Sequence, residues 1–331
     1  MIVCGDIGGT KTQLALINPD NPTFNRVSYF LNTDYDSFES LLHEFLYLQA
    51  SKSINQCVLA VAGQVHENHC QLTNLPWYLN ATNIAETHDI EQVVLINDLA
   101  ATAYGIPYLL PDDFVVIQGN QPFLPRSTIG VLSSGTGLGE AILYWDSPTH
   151  CYKVLSGEGG HKDLSIHSEK ELDFYHFCLT QNPGQTISCD SIISGQGLSI
   201  LLTFLAQSTK TYTLNTSLPS DNDTTNQTII QLATKYPKSI YAEALKMFTL
   251  MMANEASNLA LQANCDGGIV LAGGIPPRII DVISKPEFTR RFRDKAVFSQ
   301  WLKTVPIAVC TNTRLPVIGA YHYLTKYHYN P

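Results

Sequence analysis

Long hydrophobic runs are missing. No apolar stretch approaches the ~18 residues that a membrane-spanning helix requires, although hydrophobic residues make up 44% of the chain. The opening Met1-Ile2-Val3-Cys4-Gly5-Asp6 carries neither a basic region nor an apolar core, so no secretory signal is expected. Positive charge is scarce: Lys and Arg total 20 against 29 Asp and Glu, a net charge of −9. That excludes a broad surface for nucleic acid or anionic membrane. Paired cysteine motifs are absent as well. The eight cysteines, at 4, 57, 70, 151, 178, 189, 265 and 310, form no CxxC and no Cys/His cluster at zinc spacing. Cys4 and Cys57 lie in apolar runs, where a reduced thiol acts as a small hydrophobe. These absences predict a cytoplasmic protein, and they make the sequons at Asn80, Asn215, Asn222 and Asn226 accidents of an Asn/Thr-rich chain.

What is present points to an α/β fold. At ~150 residues per domain, 331 residues predict two domains. Strands are expected at 2–4, 13–17, 26–31, 57–62 and 93–96, then at 114–118, 127–133, 140–145 and 268–271. Asp36 with Glu39 reads as a capping box ahead of Phe38, Leu41, Leu42, Phe45 and Leu46, which share one helical face. A short helix over 99–104 should follow the strand at 93–96. The longest helix is expected over 239–262, with Phe248, Met251, Met252 and Leu259 packing in the core. The polar stretch 207–228 reads as a mobile surface segment. Strand, glycine turn, strand occurs at 2–17 and again at 127–145, so the two halves are related in kind.

Three glycine turns carry the functional signal. Gly5-Asp6-Ile7-Gly8-Gly9-Thr10 is neither a P-loop nor a dinucleotide fingerprint, because the glycine spacing fails both and a strand follows. It is a hairpin turn whose backbone N–H groups and Thr10 hydroxyl suit phosphate oxygens. Asp6 at the strand end suits Mg²⁺, directly or through a water; a plain hairpin with a turn aspartate explains it equally well. Ser134-Gly135-Thr136-Gly137-Leu138-Gly139 repeats the pattern, and Ala272-Gly273-Gly274-Ile275 ends a later strand. Three such turns favour a nucleotide site.

Polar residues stand between these turns. Asn97-Asp98 ends an apolar strand, the edge at which open α/β sheets bind ligands. Asp98 either caps the next helix or accepts a hydroxyl proton during phosphoryl transfer. Glu158 and His161, framed by glycines in Ser156-Gly-Glu-Gly-Gly-His161, suit a polyhydroxylated ligand. Asn74, in Thr73-Asn-Leu-Pro-Trp77, sets an amide beside an aromatic, which fits a sugar or simple packing.

These pieces, together with Ser194-Gly-Gln-Gly-Leu198, occur in an order that resembles the bacterial-type glucokinase family, its non-zinc branch within the actin/hexokinase-like ATPases. The resemblance implies two related α/β domains flanking a nucleotide and sugar cleft. Residues 1–109 would form the small domain, completed by a C-terminal helix within 313–331, and 110–312 the large one. It implies ATP-dependent phosphorylation of glucose at the 6-hydroxyl in glycolysis, with Asp98 as general base. Asn74, Asn97, Asp98, Glu158, His161 and Asp190 would bind the sugar. Asp6, Gly8, Gly9, Thr10, Gly135, Thr136, Gly137, Gly273 and Gly274 would surround Mg·ATP, with Asp6 at the Mg²⁺. It also implies a homodimer.

Departures from the family pattern bear on selectivity. Asp190 stands where the family's sugar-binding Glu is expected, one methylene shorter. Ser133-Ser134 precedes Gly135, and Gln64 stands where many members have Pro. No Cys follows His161 over 162–175, unlike the zinc-binding sugar kinases. Competing readings are a kinase for fructose, mannose or N-acetylmannosamine, and a non-catalytic sugar sensor. A repressor on this scaffold would need a helix-turn-helix, for which the five residues before Asp6 leave no room.

Overall fold

The computed structural model describes the chain except residues 25, 50–52, 74, 209–225 and 329–331. Asn74, and nearly all of the polar stretch at 207–228, therefore lie outside the described residues. The chain divides into two compact units. The first comprises Met1–Leu110, Tyr152–Ser156 and Asn312–Pro331; the second comprises Pro111–Cys151 and Gly157–Thr311.

The first unit is built on β1 (Ile2–Ile7), β2 (Lys11–Ile17), β3 (Ser28–Leu31), β4 (Gln56–Val61) and, after the short hairpin β5 (His69–Gln71) and β6 (Tyr78–Asn80), β7 (Gln92–Asn97). Its five-stranded sheet has the order β3-β2-β1-β4-β7. β1 pairs antiparallel with β2 and parallel with β4, and β4 runs parallel to β7. Side chains along a strand alternate between faces, and here both faces are covered. Val3, Ile7, Cys57, Leu59 and Val61 pack against α1 (Phe38–Leu48) through Phe38, Leu41, Leu42 and Phe45. Ile2, Cys4, Val58, Ala60, Val94 and Ile96 face α3 (Asp98–Gly105) and the C-terminal helix Leu315–His322 through Ala100, Ala101, Val317, Ala320 and Tyr321. Between them in sequence lies α2 (Ala81–His88), capped by Asn80. The C-terminal helix meets α3 backbone to backbone at Gly319, where a Cβ would overlap the carbonyl oxygen of Ala101. The capping box before α1 differs from expectation. Ser37 is the N-cap and exchanges hydrogen bonds with Ser40, one residue later than the Asp36/Glu39 pair.

The second unit repeats this plan. Five strands of its sheet run β10-β9-β11-β12-β8, where β8 is Phe114–Gln118, β9 Ile129–Ser134, β10 Leu138–Asp146, β11 Gly268–Ala272 and β12 Ile307–Cys310. β9 and β10 form an antiparallel hairpin, β9, β11 and β12 run parallel, and β8 closes the edge antiparallel. The hairpin followed by parallel neighbours is the arrangement of β1, β2, β4 and β7, so the related halves read from the glycine turns exist as a shared topology. The long helix spans Ile240–Ala263 and is N-capped by Ser239. Phe248, Met251, Met252 and Leu259 are buried in the unit's core. All eight cysteines are free thiols.

Candidate active site

In the first unit the glycine turn joins β1 to β2 and is braced from below. Gly8 N donates to Lys11 O at 3.1 Å, and Asn32 N donates to Thr10 O at 3.0 Å. The Asn32 side chain does most of the bracing: Nδ2 donates to Gly8 O at 2.8 Å, and Oδ1 accepts from Thr12 Oγ1 at 2.8 Å. Asn32 is 2% exposed, so its amide must find partners inside the protein, and it finds them on the turn. Sequence reasoning passes over Asn32; the only trace is a short polar residue directly after an edge strand. Thr10 stays exposed at the tip.

Asp6 is the last residue but one of β1 and Asp98 follows β7, with β4 between the two strands. Burial drives the Asp6 carboxyl up to about 7, and the charge of Asp98 adds to the rise. A divalent cation would discharge such a pair, so the donor chemistry fits Mg²⁺. Asn97, rather than Asp98, caps α3: its Oδ1 accepts from Leu99 N and Ala100 N, each at 3.1 Å. Its Nδ2 donates to Gly63 O at 3.1 Å and to Asp98 Oδ1 at 3.2 Å. Asp98 Oδ1 also accepts from Leu99 N at 2.8 Å. The carboxylate is thus fixed at the N-terminus of α3.

In the second unit the remaining turns converge. Gly195 N donates to Gly135 O at 2.9 Å and Ile275 N to Ser134 O at 3.1 Å. A Cβ at Gly274 would meet nothing within 4 Å, and one at Gly135 would meet only Gly274 N, at 3.8 Å. Gly135 and Gly274 therefore leave open backbone, a cradle of the kind phosphates occupy, whereas a Cβ at Gly137 would run into the Asp190 carboxylate and one at Gly273 into the Ser134 carbonyl oxygen. Asp190 sits in the first turn of a short helix, Cys189–Ile192, and its Oδ1 accepts from Leu138 N at 2.7 Å. Glu158 and His161 share a 3₁₀ turn with Nε2 and Oε2 3.8 Å apart, and both side chains are exposed (59% and 62%).

Gly160 lets that turn lie on β10, because a Cβ there would overlap the Leu138 carbonyl oxygen. Gly160→Ala should therefore lower stability by about 1–3 kcal/mol through overpacking. It should also shift His161; thermal unfolding and hydrogen exchange over residues 157–163 read the two effects separately.

Known proteins share this architecture along the whole chain. A family model described as Glucokinase matches residues 3–327. The chain belongs to the glucokinase family. A glucokinase from Synechocystis sp. is 33% identical over 96% of this chain and 96% of its own. The crystal structure of a glucokinase from an Antarctic psychrotroph superposes with a TM-score of 0.80 at 27% identity, covering 97% of each chain. A glucokinase from Balamuthia mandrillaris, solved in complex with glucose, gives 0.80 at 22% identity over 97% of this chain and 92% of that one. The fold is that of the actin-like ATPases, and this glucokinase family member is a kinase acting with ATP. Among the described residues no helix is long and apolar enough to cross a membrane.

Proposed function

We propose that this chain transfers the γ-phosphoryl group of ATP to O6 of D-glucose, with Asp98 as general base. The observation that carries the reading is the Asn97–Asp98 pair: one side chain caps α3 and holds the other at the C-terminal ends of the parallel strands β1, β4 and β7. The O6–H proton passes to the Asp98 carboxylate as the O6–phosphorus bond forms and the bond to ADP breaks. The transition state is loose and needs charge neutralisation as much as a base. Bound Mg²⁺ supplies part of that neutralisation, and Asp6 is the residue assigned to hold it, directly or through a water. Gly8, Gly9, Thr10, Gly135, Thr136, Gly137, Gly273 and Gly274 are assigned to the nucleotide phosphates.

For the sugar, Glu158 and His161 offer exposed acceptors and donors to hydroxyl groups. Asp190 keeps Oδ1 on Leu138 N and gives Oδ2 to the sugar. Asn97, with its amide already engaged, contributes by fixing Asp98. Asn74 retains the sugar-binding role that the family resemblance implies. Residues 1–109 with 313–331 are read as the small domain and 110–312 as the large one. The protein is read as a cytoplasmic homodimer of glycolysis.

A coupled assay with Mg·ATP against glucose, fructose, mannose, N-acetylglucosamine and N-acetylmannosamine tests this, with the phosphorylated position determined. Glucose should give the largest kcat/KM. Asp190, shorter than the family's Glu and tied to the hairpin, supports a second reading in which another hexose is preferred. A higher kcat/KM for that sugar would establish it.

A further inference from the structure

Beneath the Glu158–His161 turn lies a buried ionic group that no role above uses. Lys162, next after His161, places Nζ 2.8 Å from Glu140 Oε2 and 2.6 Å from Glu255 Oε1. Glu140 belongs to β10 and Glu255 to the long helix, and they are only 5% and 1% exposed. Glu255 Oε2 also accepts from Cys189 Sγ at 3.1 Å and from Asn258 Nδ2 at 3.3 Å. The Lys162 carbonyl accepts from Cys189 N at 2.9 Å, and Asp163 forms a bridge with Ser188. The segment after His161 is therefore sewn to the segment just before Asp190.

Two buried carboxylates share one ammonium. Burial pushes Glu140 up to about 7; the hydrogen bond from Lys162 opposes this and the charge of Glu255 adds to it. Such a group is costly, and well-packed apolar side chains of similar volume are often as stable or more so. Its value lies in geometry: an ammonium between two fixed oxygens has one place to be.

We propose that Lys162, clamped by Glu140 and Glu255, is the positioning residue that sets the Glu158–His161 turn and Asp190 relative to each other for sugar binding. The inference rests on the sugar roles proposed above for those three residues. Lys162 touches no substrate; it acts through its neighbours in the chain and through Cys189.

The test compares wild type, Lys162→Met and Lys162→Met/Glu140→Gln by steady-state kinetics and by hydrogen exchange over residues 157–163. Lys162→Met should raise the glucose KM about 10-fold or more with the ATP KM within about twofold, the signature of lost ground-state sugar binding. The double variant removes one uncompensated carboxylate and should recover part of that loss. A role in stability alone would lower the active fraction, and so the apparent kcat, with the glucose KM unchanged; that result overturns the proposal. If Lys162→Met fails to fold, Glu140→Leu, which removes one of the two oxygens that hold Lys162 and leaves it paired with Glu255 alone, takes its place with the same KM criterion. Wild type that turns over no glucose would sink the sugar reading by itself. Exchange still decides on Lys162 in that case: faster exchange over 157–163 in the variant supports the clamp, and unchanged exchange removes it.

Discussion

Asp98→Asn is expected to lower kcat by about 10²–10⁴-fold, the range of a lost general base, while the KM values for glucose and ATP stay within a few-fold of wild type. The substitution is almost isosteric. The carbonyl oxygen of the new amide can still accept from Leu99 N and Asn97 Nδ2, the two bonds that hold Asp98 Oδ1. The fold and the start of α3 should therefore survive, because the cap is Asn97. What disappears is the proton acceptor. A kcat within tenfold of wild type would remove Asp98 from that role. Asn97→Ala, by contrast, should cost about 1 kcal/mol of stability through the lost cap and should lower kcat as well, since Asp98 loses a partner.

Asp6→Asn is expected to have opposite effects on activity and stability. Turnover should fall by about 10²-fold or more, the scale seen when one preorganised charge contact to a transition state is removed. Stability should rise. Asp6 ordinarily loses its proton near 3.8, and in the folded chain burial and Asp98 delay this to about 7. Below 3.8 both folded and unfolded chains carry the proton, and no penalty exists. Between 3.8 and 7 the unfolded chain releases it first, so each pH unit favours unfolding by about 1.4 kcal/mol. Above 7 the full penalty stands. The amide has no such dependence, so without Mg²⁺ and nucleotide the variant should unfold at higher temperature than wild type at pH 8. Near pH 4 the two should nearly coincide. An equal gap at both pH values would show that ionisation of Asp6 is not the cause.

The sequence made the sheet strands and the glycine turns legible because both are local signals. The continuous apolar run Cys57–Val61 and the glycines at 5, 8 and 9 need no distant partner to be read. The cap of α1 was misplaced by one residue, since Asp36 and Ser37 are both good caps and only backbone geometry chooses Ser37. Asn97 and Asp98 were recognised as a pair, but their division of labour rests on which oxygen faces Leu99 and Ala100. Asn32 and the Glu140–Lys162–Glu255 group were not legible. Their partners lie 20 to 93 positions away, at Thr12 and Gly8 for Asn32 and across β10 and the long helix for Lys162. Periodicity does not encode a pairing between a loop lysine and carboxylates that distant.

The division of the first unit between the two ends of the chain has a consequence for its synthesis. The sheet face formed by Ile2, Cys4, Val58 and Ala60 is covered in part by Val317, Ala320 and Tyr321, from a helix synthesised only after the whole of the second unit. Roughly 200 residues separate Leu110 from Asn312, a wait of about 10–40 s at ordinary translation rates. During that wait one face of the nascent first unit's sheet has only α3 over it, while the second unit has its own segments almost in hand. The newborn chain should complete its later half first, and its earlier half is the natural client of a ribosome-associated chaperone.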